Sequence, residues 1–426
     1  MKKINDDGIN PISSNFGVKG WIVIIISFLC ILLDSSLIND SLNVTIPAFA
    51  EIKGWNINLL YLFSTVTAWI AVAGAVVWGI VSKKISVRFA WAASLAITAV
   101  ACFFWGNASS STVYLICLAV SSVGGMGFAY IANMNVIANW FPKKKGIAMG
   151  WVTIGFPLSA AVSSNLAGAL LGSGGLNRVY LFYGIASAVL CVIVALVIRD
   201  YPEQAGAFPD NNHKFEAAEA QKELEIGLEY MRTSTWTPKK LLSTGRVWQI
   251  ALSLGVMELL SLGIMTNFVP RCTQAGYEMN DILVMLGIAG VIAMFGSIGC
   301  GLLDATMGTK RATIITLIIA VIAIIFNLIP TRATMYLSLP FLGVMLGGAA
   351  NYLVSITNTI WGRYDFPMAY KVLKPMVAAI GALGVSLVGV IGNTFSYAVS
   401  YAVLAVLAVI ATIIMISLDD SLIGRN

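Results

Sequence analysis

The sequence predicts an all-α membrane protein, with twelve transmembrane helices in two pseudo-symmetric six-helix bundles. Three observations predict it. Apolar residues make up 58 % of the 426 residues and charged residues only 11 %, against about 25 % charged in a soluble domain. The apolar residues come in long uninterrupted runs. Basic residues, finally, are distributed unevenly between alternate loops.

The runs set the number of crossings. Residues 89–142 form a stretch of 54 without Asp, Glu, Lys or Arg, and 376–418 form a second such tract. One helical crossing needs roughly 20 residues, so each tract is too long for one. Each also breaks near its middle, at Gly106-Asn107 and at Gly392-Asn393-Thr394, and so reads as a helical hairpin. The same reading along the chain places spans at 20–47, 58–81, 88–105, 113–139, 146–171, 179–198, 247–270, 282–303, 312–329, 335–361, 375–391 and 394–417. Backbone polar groups in lipid need internal partners, which favours helices, and the weak ten-residue alternation of a membrane barrel is absent. The first apolar run is too long for a cleaved signal and lacks a small-residue cleavage site, so the tail is expected to stay with the protein.

Orientation follows from Lys and Arg, which are retained on the cytoplasmic side. With the N-terminus inside, the cytoplasmic segments hold 15 basic residues outside the middle loop, including Lys2, Lys3, Lys83, Lys84, Arg88, Lys143, Lys144, Lys145, Lys310, Arg311, Arg363, Lys371, Lys374 and Arg425. The outer side holds four: Lys53, Arg178, Arg271 and Arg332. Both termini are therefore expected in the cytoplasm, and the localisation is a multi-pass cell membrane protein. The net charge of +6 arises from short clusters at helix ends, the usual anchoring to anionic lipid. Nucleic-acid binding would need a basic soluble face with stacking aromatics, so it is excluded as a function.

The organisation read from this pattern is a cytoplasmic tail 1–19, a bundle 20–198, a cytoplasmic linker 199–246, a bundle 247–418 and a tail 419–426. Residues 213–231 read as a surface helix. Thr237-Pro238 is a helix start, Thr as cap and Pro at the first helical position. The halves echo each other: span four carries Gly124-Gly125 and span ten Gly347-Gly348. Such duplication puts a solute pathway between two bundles, with a site near mid-membrane. Small residues also let helices approach, so the glycine pairs fit a moving seam and ordinary tight packing equally. The six cysteines form no metal-ligand pair, and the one histidine, His213, lies in the linker. No metal and no cofactor are expected.

The layout resembles the major facilitator superfamily over nearly the whole chain. Its loop between spans two and three follows G-x-x-x-D-R/K-x-G-R/K-R/K. Here Gly79, Lys84 and Arg88 fit that pattern, while Lys83 replaces the acid and Ser86 the second Gly. In the second half Gly301, Gly308 and Lys310 fit, with Arg311 just beyond and Asp304 one place before the expected acid. The resemblance makes these residues the candidate cytoplasmic gate. Three further stretches are similar to the oxalate/formate antiporter and monocarboxylate transporter group: Asn139-Trp140-Phe141-Pro142 leading to Gly146, Trp236-Thr237-Pro238-Lys239-Lys240, and Trp361-Gly362-Arg363-Tyr364-Asp365-Phe366. Members of that group often hold a carboxylate with basic residues inside spans eight and eleven. This chain departs from the pattern, because 282–303 is uncharged and span eleven carries only Lys374, at its predicted start.

An ionisable group inside a span costs about 2.5–3.5 kcal/mol or more, and is a functional candidate by default. Asp34 and Asp40 in span one and Glu258 in span seven are the three. Asp34 and Glu258 sit near mid-depth in equivalent spans, and each reads either as a proton-coupling or substrate group or as a protonated carboxyl bonded to a neighbouring helix. Asp40, nearer the outer end, fits a wetted vestibule. Uncharged candidates to line a polar solute are Tyr130, Asn133, Asn267, Asn351 and Tyr352, with helix–helix hydrogen bonding the competing role. Lys371 and Lys374 either reach a carboxylate from the inner mouth or snorkel to the cytoplasmic surface.

The expected function is secondary active transport of a small organic anion of the monocarboxylate kind, coupled to protons or run as an exchange, by alternating access. The alternative is a cationic, zwitterionic or neutral solute, since the mid-depth charges are negative. No enzyme is expected: a membrane enzyme needs clustered catalytic groups at one face, an ATP-driven pump a phosphate-binding Gly-rich loop, and a sensor a larger soluble output segment. The expected partners are the solute, protons and the bilayer, with the monomer as the transport unit.

Overall fold

The computed structural model describes residues 9–213, 217–329 and 331–424; Lys2, Lys3 and Arg425 of the orientation argument lie outside them. Among the described residues ten continuous helices are long and apolar enough to cross a bilayer. They carry twelve spans. Helix Gly155–Val197 is broken at Gly174 and Gly175, which separates span five from span six. Helix Tyr352–Thr394 is broken at Gly362. Its first part continues Arg332–Gly348 as span ten, and the part from Arg363 onward is span eleven.

The remaining spans follow the predicted positions, most with longer ends, while span twelve starts three residues later than predicted. Span one is Gly17–Ser35, a π-helical stretch Ser36–Asp40 and Leu42–Lys53. Spans two and three are Ile57–Lys84 and Val87–Gly106. Span four runs through Ser111–Gly125, π-helical Met126–Ile131 and Ala132–Trp140. Span five opens with Lys145–Val152 before continuing in Gly155–Val197. Span seven is Gly245–Thr266 with Phe268–Gln274. Spans eight, nine and twelve are Met279–Met307, Thr309–Leu328 and Tyr397–Ser417.

Local chemistry fixes the ends. Asn56, Ser86, Ser110, Thr331 and Ser396 each accept a backbone N–H from the first turn of the following helix, which satisfies donors the helix leaves open. Two reversals hang on one residue. Gly308 (φ 84°, ψ 153°) turns span eight into span nine, and Gly362 (φ 70°, ψ −179°) turns span ten into span eleven. That region of backbone space is open essentially to Gly alone. Span eleven accommodates both Pro367 and Pro375 inside the helix, as membrane helices can where neighbours satisfy the freed carbonyls.

The chain divides into two compact units. One comprises 16–140 and 158–221; the other comprises 9–15, 141–157 and 222–424. In the second unit, Lys145–Val152 of span five packs on span eight. The contact is glycine against glycine: a Cβ on Gly150 would stand 3.3 Å from the Gly301 Cα, and one on Gly301 would stand 3.0 Å from the Gly150 Cα. In span four, Gly125 faces the Asp34 carboxyl and Gly124 faces Thr98. In span ten, Gly347 abuts the span-eight backbone at Ala293 and Ser297, and a Cβ on Gly348 would stand 2.7 Å from the Cys300 thiol. Both glycine pairs thus form close helix contacts.

The linker folds as the sequence indicates where it is described. Helix Ala217–Thr233 is followed by the short helix Pro238–Leu242, with the Thr237 hydroxyl capping Lys240 N–H at 3.2 Å. The first docks on the corner between spans ten and eleven. Asp365 accepts hydrogen bonds from the Tyr230 hydroxyl (2.8 Å) and the Ser234 hydroxyl (2.5 Å), and Tyr364 donates to the Glu223 carbonyl (3.4 Å). Trp236 meets Trp361 edge to face at 6.2 Å. The Trp361–Phe366 stretch therefore serves as the dock for the linker.

Candidate functional site

Span eleven starts at Arg363, about three helical turns before the start read from the sequence. Pro375, taken there as a helix start, lies inside the helix. Lys374 is accordingly part of the membrane-spanning helix. It does not snorkel: its side chain is 6 % exposed.

Its partner is Glu258 of span seven. The Lys374 ammonium stands 3.3 Å from each carboxylate oxygen, donating to both. Spans seven and eleven pack along their length, and glycines make the approach close. A Cβ on Gly381 would lie 2.8 Å from the Glu258 Cγ, and one on Gly255 would lie 2.8 Å from Ile380. Tyr370, one turn before Lys374, is buried, stacks on Phe366 at 5.0 Å and lies near Glu258. The Glu258 side chain is 28 % exposed, much more than its partner. The arrangement is a cation held inside the second unit beside an anionic partner, Glu258, that stays partly accessible. A buried charge that loses its partner is costly, so this cation always needs an anion. Lys371, one turn earlier, is half-buried.

The other candidates have the following neighbours within their own units. Asp34 is buried against Gly125. Asp40 ends the π-helical stretch of span one, half-buried, and its carboxylate accepts from the Ser35 and Ser159 hydroxyls. Asn133 donates to the Ser27 carbonyl of span one (3.2 Å), and Tyr130, one turn earlier, is half-buried. Asn267 caps its own helix at the Gly263 carbonyl (3.0 Å) and reaches Val385 O (3.4 Å). Asn351 donates to the Ser297 carbonyl (2.9 Å) and accepts from the Thr153 hydroxyl, which also bonds the Ser297 hydroxyl at 2.6 Å. The Tyr352 hydroxyl bonds Thr316 at 2.7 Å. Asn133, Asn267, Asn351 and Tyr352 thus tie helices or helix turns together.

The two candidate gate loops are held differently. In the first, Gly79 lies within span two, Lys83 and Lys84 are exposed in its last turn, and the span-three N-terminus is met by Asp200, beyond span six. The Asp200 carboxylate accepts the backbone N–H groups of Val87 (3.0 Å) and Arg88 (2.7 Å). An anion at a helix N-terminus satisfies open donors and complements the helix dipole. The Arg88 guanidinium lies over the Phe89 ring. Burial pushes the Asp200 carboxyl above its ordinary value, against the two N–H bonds and the Arg88 charge. Asp200 escaped the sequence reading because its role depends on a contact more than a hundred residues away.

In the second loop, Asp304 is buried, accepts from the Thr309 hydroxyl at 2.7 Å, and feels the charge of Lys145. Its other oxygen faces Gly146, whose built Cβ would lie 2.8 Å away. Gly301 packs on span five and Gly308 makes the turn. Lys310 caps span twelve at the Leu418 carbonyl (2.7 Å), and Arg311 is exposed. At the C-terminal end of span seven, Arg271 is buried, donates to the Asn327 carbonyl at 2.7 Å and lies over the Tyr401 ring.

The apolar helices and their breaks define a multi-pass membrane protein. A model of the Major Facilitator Superfamily matches residues 23–367, and the chain belongs to that superfamily. It is similar to the oxalate:formate antiporter of Oxalobacter formigenes, 22 % identical over 290 residues, covering 66 % of this chain and 63 % of the relative; the match spans less than two thirds of that relative's length. Among solved structures, the proton:xylose symporter XylE bound to 6-bromo-6-deoxy-D-glucose aligns with a TM-score of 0.71, 14 % identity and coverage of 93 % and 94 % of the two chains. The human organic anion transporter MFSD10 (TETRAN) aligns with a TM-score of 0.69, 13 % identity and coverage of 92 % and 98 %. These two likenesses bear on the fold.

Proposed function

We propose that this chain is a secondary transporter of a small organic anion, of the monocarboxylate kind, working by alternating access with Lys374 as the group that holds the carboxylate. The observation that carries the reading is the Glu258–Lys374 pair. Glu258 presents to Lys374 the chemical group that a carboxylate substrate would present. A substrate anion entering the site competes with Glu258 for one cation. When it wins, Glu258 either takes up a proton or turns toward water. The first outcome couples anion movement to protons. The second makes the carrier an exchanger where Glu258 does not return, because Lys374 then reorients only with a substrate anion on it. The 22 % identical relative, by name an oxalate:formate antiporter, supports an anionic substrate.

Asp34, the other mid-depth acid, is a further coupling candidate. The two six-span bundles, 20–198 and 247–418, joined by 199–246, are the bodies that would alternate, and one monomer carries both. The loop charges support placement in the cell membrane with both termini inside.

A thermal-shift screen of the purified protein tests the reading, since a ligand that binds the folded state raises its stability. Small monocarboxylates are expected to stabilise the wild type and to have no effect on Lys374→Gln. Stabilisation by amines or sugars, unchanged in that variant, would assign the cationic or neutral alternative.

A further inference from the structure

We propose that the hydroxyl cluster around Asp40, between spans one and five, is a sodium-ion site. The Asp40 carboxylate accepts hydrogen bonds from the Ser35 hydroxyl (3.1 Å) and the Ser159 hydroxyl. The Ser159 oxygen bonds those of Ser36 (3.1 Å) and Ser163 (3.0 Å), and Ser36 and Ser163 bond each other at 2.6 Å. Ser164 donates to the Asp40 backbone carbonyl at 3.0 Å. Ser35, Ser36, Ser159 and Ser163 are all nearly or fully buried.

Local structure gathers these oxygens. In the π-helical stretch the Ser41 N–H bonds the Ser36 carbonyl, five residues back, at 3.0 Å. Such widened turns in membrane helices often mark functional positions; this one brings Ser35, Ser36 and Asp40 to the side that meets span five. On span five, Ser159 and Ser163 are one turn apart and share a face. The buried Tyr183 hydroxyl, with no partner meeting hydrogen-bond geometry, has Ser41 and Asp40 among its nearest polar neighbours. One turn further along span one, the Tyr180 hydroxyl bonds Thr45 at 3.1 Å, and Tyr180, Phe49, Trp105 and Tyr114 pack ring on ring. These rings shield that end of the cluster.

Charge decides what the cluster holds. Glu258 has Lys374, Asp281 has Arg332, and Asp419 has Arg246. Among the described residues no Lys or Arg pairs with Asp40, and its immediate polar partners are hydroxyls. A carboxylate in such surroundings needs a positive charge to offset its desolvation. The donors are all hard oxygens, the set that suits hard cations. Their total charge is −1, which a monovalent ion neutralises and a divalent ion would overshoot. Among the described residues no three acidic, His or Cys side chains gather to hold a metal. The close spacing of the oxygens favours a small ion, sodium over potassium.

The cluster belongs to one unit and Lys374 to the other, and its test uses no carboxylate, so its failure leaves the anion reading untouched. The experiment is thermal unfolding of the purified full-length protein in sodium, potassium and choline chloride at matched ionic strength and pH. The expected result is a sodium-specific rise in unfolding temperature that saturates. It should vanish in Asp40→Asn and shift to several-fold higher sodium in Ser163→Ala, a milder change that covers the case where Asp40→Asn fails to fold. Equal unfolding temperatures in sodium and potassium would overturn the proposal. So would a sodium increment unchanged in both variants, or a dependence on pH alone, which would place a proton on Asp40.

Discussion

The Lys374 ammonium stands 3.3 Å from both carboxylate oxygens of Glu258, joining the first half of span eleven to the middle of span seven. Neither residue is near the other in sequence, and the pair brings opposite charges together where lipid makes each costly alone.

The first prediction concerns that pair. Removing one partner of a fully buried pair costs about 3–5 kcal/mol; with Glu258 partly exposed, Lys374→Met should cost less, about 2 kcal/mol. Adding Glu258→Gln should recover most of the loss. Denaturant unfolding of the two single variants and the double variant measures the coupling. A double variant less stable than Lys374→Met would show that the charges do not compensate each other.

Two glycines of span eleven separate packing from function. An Ala at Gly384 pushes its methyl into the Leu259 backbone, which cannot yield, and should destabilise by about 1–3 kcal/mol. An Ala at Gly381 meets the flexible Glu258 side chain at 2.8 Å. It should shift that side chain while leaving it within reach of Lys374, lowering transport with a smaller loss of stability. Unfolding and uptake measured on both variants check the contrast.

Asp200 gives a pH signature. Its folded-state value lies above its ordinary one, so the folded protein binds this proton more tightly than the unfolded chain does. The contribution is therefore greatest at low pH and is lost as pH rises from the ordinary carboxyl value to the folded one. Asp200→Asn should flatten that part of the stability–pH curve. It should also cost about 1 kcal/mol near neutral pH, because an amide accepts only one of the two N–H bonds well. Thermal unfolding between weakly acidic and neutral pH reads both effects.

Much of the fold was legible in the sequence because crossing lipid imposes a simple rule: long uncharged runs, polar breaks and a biased distribution of Lys and Arg. The Thr237-Pro238 start was legible because the cap is local. The start of span eleven was misplaced on one local signal, Pro375, taken as a helix start; packing against span seven lets the helix run through it. The dock at Asp365, the Asp200 cap and the Ser159–Ser163 face were not legible, since each acquires its role from a partner distant in the chain. Ser159 and Ser163 did carry a signal, two hydroxyls at helical spacing in an apolar span.

The Asp365 dock predicts a change in linker dynamics. Tyr230→Phe with Ser234→Ala removes both hydrogen bonds to Asp365. Limited proteolysis should then cut the 217–236 region several-fold faster, with transmembrane unfolding unchanged. Equal cleavage rates would mean that the apolar contacts of Tyr364 and Trp236 hold the helix unaided.

The most direct test of the carrier reading is exchange of a labelled small monocarboxylate, such as acetate or lactate, in proteoliposomes preloaded with the same anion. Wild type should exchange label; Lys374→Gln, reconstituted to the same level, should fall to background; and Glu258→Gln should keep exchange while losing any response to a pH gradient. Full exchange by Lys374→Gln would contradict the assignment of that ammonium as the carboxylate's counter-ion.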